Sequence, residues 1–467
     1  MTKKRLLAFA VVLTFALGIS VLATAQVESP DRPVVQVQQE TAQPSIFKPA
    51  GQVVVPESSV ARPEDAGLRA HTNHLIFVPA GHPTTSIVPD NTFTETPASM
   101  GCVYKVGPTY AGCSPASGGT DHPTGGWGGI ALVDAYDNPK AASDLAFFST
   151  FWGLPAANFT KVYANTSFGT LNGMTASCAG APAGNTGWGL EEDLDIEWAH
   201  VMAPSAKIFL VEACSNSYSD LLFAEQVAGI KVAAVGGGDI SNSWGSGEFA
   251  SEVGTTDDVF YRYHYSKITY FASAGDSGWG AAYPSSSPWV VSAGGTTINR
   301  DASENFLSES CWSGSGGGLS QYELWQTPPS IVNGMGPWTN YQYQMAGQSG
   351  RQTPDIASNA DPASGVWVYD TYSSTPGWWI VGGTSVASPT LAGIVNNAAN
   401  QMGQTPPGGG YYAASELNLV YAQLYAHNAY HTNFYDVTAG SNGTGHNAGT
   451  GYDQCTGVGT PRGKAGK

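Results

Sequence analysis

Between residues 127 and 395, short runs of apolar residues alternate with stretches in which apolar side chains recur every three or four positions. The runs at 130–134, 207–212, 268–272, 289–292 and 366–369 predict strands. A helix is expected from Pro139, a residue suited to the first helical turn, to about Trp152. Two more are expected over 191–202, before Pro204, and over 220–227, which leads through an apolar run at 232–235 to ISNSWG at 240–245. Strands alternating with helices predict an α/β fold, a mostly parallel twisted sheet with helices on both faces. In such sheets the chemistry gathers at the carboxyl ends of the strands. Residues 26–120 read differently. They are rich in Pro, Thr, Ser and Gly and irregular, apart from one strand expected at 74–78.

The pattern is sharpest at 377–395, GWWIVGGTSVASPTLAGIV. An apolar run stops at two glycines, a Ser/Thr turn follows, and small and apolar residues then alternate as in a helix. A serine at such a turn stands at a helix N-terminus, where free amides and the helix dipole favour developing negative charge. Ser385 is therefore a candidate nucleophile, with helix capping as the simpler role for it or Thr384.

Composition adds the setting. Of the 467 residues, Lys3, Lys4 and Arg5 precede an apolar run at 6–22, and Ala23-Thr24-Ala25 supplies a cleavage-like site. Residues 1–25 are thus expected to be a signal peptide, the protein to be secreted (extracellular or periplasmic), and the mature chain to be a monomer free of the membrane. The net charge of −17 argues against a nucleic-acid partner, whose phosphates need clustered Lys and Arg. It suits an acidic medium, where protonating carboxylates moves the charge toward zero. Six cysteines in an exported chain suggest three disulfides. Cys102 with Cys113 closes a local loop, and Cys178–Cys214 with Cys311–Cys455 is one of the remaining pairings.

A serine hydroxyl needs a base to take its proton. Asp134, at the end of the first strand in IALVDAY, resembles the aspartate of an Asp–His–Ser order, but no glycine-framed histidine follows it. His71, His74, His122, His200 and His264 read as surface or packing residues. Glu191 and Asp195, in EEDLDIEWAHVMAPSAKI, lie four positions apart, so both leave one helix face. Their repulsion favours a shared proton and raises one apparent pKa. A Glu held by an Asp against a serine is a usable base in acid, whereas a solvated acidic helix start is the plainer role. Asp276, in the loop of FASAGDSGWG, could when protonated donate to an oxyanion, or could satisfy its own loop amides.

Together with YPSSSPWVVSAGGT, SGGGLSQYELWQ and GGTSVASP, these stretches resemble the sedolisin family, the serine-carboxyl peptidases, over residues 127–461. The resemblance implies a subtilisin-like fold in a catalytic domain at 121–467. It implies Ser385 as nucleophile, Glu191 as general base, Asp195 orienting Glu191, and Asp276 in the oxyanion hole with the Ser385 amide. Acid-acting endopeptidase activity on polypeptides follows. The resemblance further implies one structural calcium ion in the C-terminal loop, bound by the side chains of Asp436 and Asp453 and the carbonyls of Val437, Gly449 and Gly451. Family members carry a long folded propeptide, and 26–120 reads as a reduced pro-segment at most. A secreted binding protein keeping the fold and the calcium site is the alternative, and a subtilisin-type peptidase a more distant one.

Overall fold

The computed structural model describes residues 45–467 except 82–88, 90–92, 254–260, 262–266, 325–337, 347–349, 403–411, 426–429 and 466. The expected signal peptide and the first residues of the 26–120 segment lie outside the described residues.

In chain order, the elements that frame the site begin with strands β1 (Gly51–Val54), β2 (His71–Thr72) and β3 (Leu75–Pro79) and helix α1 (Pro97–Val103). Next come β4 (Gly129–Ala135), α2 (Ala141–Trp152), β5 (Asn158–Ala164), α3 (Thr186–Met202) and β6 (Lys207–Ala213). They lead to α4 (Tyr218–Ala234), β7 (Gly238–Asn242), β8 (Trp244–Gly247) and β9 (Ile268–Ser273). The chain continues through β10 (Val291–Arg300), β11 (Phe306–Cys311), β12 (Ile356–Asn359), β13 (Val366–Asp370), β14 (Gly377–Gly382) and α5 (Thr384–Met402).

The main sheet runs β11-β10-β9-β7-β4-β6-β5, with β12 also paired to β10, and every pairing is parallel except β10 with β11. The chain builds β5 and β6 on one side of β4 and then crosses to build β7, β9 and β10 on the other. That reversal opens a crevice at the carboxyl ends of β4 and β7. Both faces of the sheet are covered, as its uninterrupted apolar strands require. Ile130 and Leu132 of β4 pack with Ile208 and Leu210 of β6 against Leu145 of α2 and Ile196 and Ala199 of α3. Ala131 and Val133, pointing the other way, join Val211 and Leu221 and Val227 of α4. On the α3 face, Asp239 and Ser241 of β7 bond Asn396 and Ser388 of α5, which sets α5 beside α3.

Three elements differ from expectation. The apolar run at 232–235 is the end of α4, not a separate element, and Gly236, Gly237 and Gly238, all at positive φ, carry the chain into β7. The strand expected at 289–292 starts at Val291 and extends to Arg300. The strand before Ser385 is not in the parallel sheet. Six residues between β13 and β14 allow only an antiparallel hairpin, and the pair forms a second sheet, β1-β3-β14-β13.

The described residues of 45–120 form more regular structure than their composition suggests. The expected strand is present as β3, paired to β1 on one edge and β14 on the other. Helix α1 opens with a capping box between Thr96 and Ser99, and Met100 and Val103 pack with Leu190, Leu194 and Trp198 of α3. The three disulfides join Cys102 to Cys113, Cys178 to Cys214 and Cys311 to Cys455. Among the described residues no helix is long and apolar enough to cross a membrane.

Candidate active site

Ser385 is the second residue of α5. Gly383 before it has φ of 100°, and a Cβ there would meet Asn73 O, Asp276 Oδ2 and His74 Cα at 2.2, 2.4 and 2.8 Å, so only glycine fits. Pro389 has no N–H for the Ser385 carbonyl, and that carbonyl instead accepts from Ser243 Oγ at 3.3 Å. The Ser385 hydroxyl donates to the Ser243 carbonyl at 3.1 Å. Ser243 lies between β7 and β8, so the turn and the strand end hold each other.

Glu191 and Asp195 occupy successive turns of α3, which begins at a cap where Asn185 Oδ1 accepts from the amides of Gly187 and Trp188. The helix starts five residues earlier than its apolar pattern indicates, and both carboxyls are fully buried, not solvated. Asp195 Oδ1 accepts from Ser243 Oγ at 2.7 Å. Burial raises Glu191 well above the ordinary carboxyl range, with the neighbouring Ser385 hydroxyl opposing. Burial likewise raises Asp195, helped by the charges of Asp134 and Glu191 and opposed by Ser243. Asp134, at the carboxyl end of β4, is raised by burial and then by Glu191 and Glu212. Both its oxygens and Asp195 Oδ2 accept no hydrogen bond among the described residues. Three carboxyls buried together, one of them with no donor at all, do not all ionise at once, so protons are shared among them.

Asp276 follows β9. Its Oδ1 accepts from the amide and hydroxyl of Thr384 at 2.7 and 2.8 Å, while Oδ2 is buried without a partner beside Asn73 O, as the Gly383 contacts locate it. Burial raises Asp276 to about 7 against the two Thr384 bonds, with Glu191 adding to the rise. Below that pH the free oxygen carries a proton it can donate.

Ser385, Glu191, Asp195 and Asp276 thus converge. Two residues that their place in the sequence did not suggest converge with them. The backbone N–H of Ser385 donates to the Asn73 carbonyl at 2.9 Å. His74 is fully buried, and its Nδ1 lies 2.5 Å from Glu191 Oε2. Burial depresses His74 to about 4, opposed by Asp276 and Asp370. His74 is neither a surface nor a simple packing residue. Its contact spans 117 positions, and no local pattern encodes it. Trp244 is buried in β8 and donates to the Val133 carbonyl at 2.8 Å.

The expected calcium ligands come together in the C-terminal loop. Asp436 accepts from the Gly451 amide at 3.0 and 3.2 Å, and Asp453 from Gly449, Cys455 and Thr456. Among the described residues the carbonyls of Val437, Gly449 and Gly451 accept no backbone hydrogen bond, which leaves their lone pairs available to a hard cation. Elsewhere, Asp144, Asp193 and Asp370 bring one oxygen each within 4.8 Å of one another. Donors from Asn138, Thr371, Tyr372 and Ser373 already bond them.

No family model matches the chain. It is 31% identical over 364 residues to kumamolisin of Bacillus sp. (strain MN-32), covering 72% of this chain and 58% of that protein. It is 26% identical over 395 residues to sedolisin of Pseudomonas sp. (strain 101), covering 75% and 60%. The chain therefore spans about three fifths of the length of these relatives. Among solved structures it is similar to Pseudomonas sedolisin, a serine-carboxyl proteinase complexed with pseudo-iodotyrostatin. The TM-score is 0.56 at 22% identity, over 79% of this chain and 95% of that one. The likeness establishes the α/β fold.

Proposed function

We propose that this chain, which belongs to the sedolisin family, is a serine-carboxyl endopeptidase that hydrolyses polypeptides in acid through an acyl-enzyme on Ser385. The observation that carries the reading is a peptide carbonyl, that of Asn73, bonded by the Ser385 amide and lying beside the free oxygen of Asp276. Attack of Ser385 Oγ on a substrate carbonyl turns that oxygen into an oxyanion, and the amide and protonated Asp276 are the donors that stabilise it. Glu191 takes the hydroxyl proton and returns it to the leaving amine, and Asp195, tied to Ser243, keeps Glu191 oriented and shares its proton load. Water then releases the acyl group.

A calcium ion held by Asp436, Asp453 and the carbonyls of Val437, Gly449 and Gly451 would tether the C-terminal loop. Three disulfides and the leading apolar run support secretion.

Hydrolysis of an acid-unfolded protein from pH 3 to 8 tests the reading. Activity confined to acid and lost in both Ser385→Ala and Glu191→Ala is expected. A maximum near neutrality that survives Glu191→Ala would point to another base.

A further inference from the structure

We infer that Asp144, Asp193, Glu197 and Asp370 form a calcium site whose ligands are distinct from those of the C-terminal loop. The inference does not depend on the peptidase reading. Three elements supply the ligands. Asp144 lies in the first turn of α2, Asp193 and Glu197 stand one turn apart on α3, and Asp370 ends β13. One oxygen from each aspartate lies within 4.8 Å of the other two. Calcium holds its oxygen ligands at about 2.4 Å, so oxygens up to about 4.8 Å apart can share one ion. The set holds only carboxylate oxygens, with no imidazole or thiolate, which suits a hard cation and not zinc or copper.

Charge separates this cluster from acids that merely cap turns. All four side chains are buried. Their donors are neutral: Asn138 Nδ2 bonds Asp193 Oδ2 at 2.9 Å, the Thr371 amide and hydroxyl bond Asp144, the Tyr372 and Ser373 amides bond Asp370, and the Tyr369 amide bonds Glu197 Oε2 at 3.1 Å. Among the described residues no lysine, arginine or histidine forms an ion pair with any of the four. Two oxygens, Asp193 Oδ1 and Glu197 Oε1, are enclosed there without a hydrogen-bond partner. Glu197 lies close enough to feel the charges of Asp193, Asp144 and Asp370, and its other oxygen is held by the residue just before Asp370. A neutral donor satisfies a lone pair but leaves a buried charge uncancelled, whereas a cation among the four carboxylates does both.

Ser374 and Pro376, in the connection that follows Asp370, are exposed, which gives an ion and the waters that complete its shell a short way in. Bound there, the ion ties α3 to α2 and to the start of the β13–β14 hairpin. Asp193 stands between Glu191 and Asp195 on α3, and the hairpin leads into the turn of Ser385, so the ion braces the helix of the two acids against the strand that precedes the serine. The competing occupant is a proton shared between Asp193 and Asp370, whose carboxyls lie close enough to bond when one of them is protonated. Calcium must displace that proton, so uptake is measured away from strong acid.

The full chain is stripped with a chelator, and calcium uptake at pH 6 is followed by isothermal titration in wild type, Asp436→Ala, Asp370→Asn and the double variant, with folding checked by circular dichroism. The expected uptake is two ions per chain in wild type, one in each single variant and none in the double. If the C-terminal loop binds nothing, wild type and Asp436→Ala each take one ion and Asp370→Asn none, which upholds this site alone. Asp436→Ala that takes up no calcium, or a folded Asp370→Asn that takes up as much as wild type, would overturn the inference and leave the shared proton as the occupant. Asp144→Asn, altered on a different element, replaces Asp370→Asn should the latter not fold, and the count for Asp436→Ala needs neither.

Discussion

At the scale of single residues, the working parts are set by burial. Asp276 differs from an ordinary turn aspartate in that one oxygen is satisfied by Thr384 while the other is enclosed without a donor, which raises the group to about 7. The sign follows: a raised carboxyl is protonated, and able to donate, below about pH 7, and the donor is lost as pH rises through that value. Asp276→Ala should lower kcat by about 100- to 1,000-fold with KM little changed. Asp276→Asn should restore much of it, because an amide donates at every pH, and should shift the alkaline limb of the pH–kcat profile upward. Glu191→Ala should reduce kcat about 100- to 10,000-fold, the range of a lost general base. Of the four residues picked out by type and spacing, all lie at one crevice. Asn73 and His74 could not be placed there from sequence, because the pattern that predicts a strand at 74–78 does not say which distant surface that strand crosses.

Among elements, α3 is the part on which the others depend. Its polar residues at 191–197 read as an exposed helix start, yet the helix is buried along that whole stretch and begins at the Asn185 cap. Asn185→Ala should cost about 1 kcal/mol of stability, read as a shift in the denaturation midpoint. The segment from β2 to β3 is the second such element. It brings His74 against Glu191 across 117 positions of sequence. The β13–β14 hairpin shows why alternation alone misassigned a strand. An apolar run records burial, whereas the choice between parallel and antiparallel neighbours depends on the length of the connection.

For the whole molecule, the many buried carboxyls couple stability to pH. Burial raises Glu309 and Glu416 to about 7 and Glu212 and Glu225 to about 8. Each is protonated in the fold at pH values where the unfolded chain ionises. Their contribution is full below about pH 4 and is lost as pH rises through 7 to 8. Thermal midpoints should therefore be higher near pH 4 than at pH 8, the reverse of a protein whose carboxylates are salt-bridged. Chelation at fixed pH should lower the midpoint further, and calcium in excess should restore it, with Asp436→Ala less sensitive to both.

The sequence by itself determined the α/β alternation, the turn that presents Ser385, the one-face spacing of Glu191 and Asp195, and the glycine-framed loop of Asp276. Each of these is local, written in periodicity, caps and turn residues within about twenty positions. The tertiary structure alone decided that β14 leaves the parallel sheet, that α3 is buried with its acids, and that Asn73 and His74 reach Ser385 and Glu191. Those outcomes depend on which distant surfaces exclude water together, and burial of that kind is a property of the folded chain, not of any stretch within it.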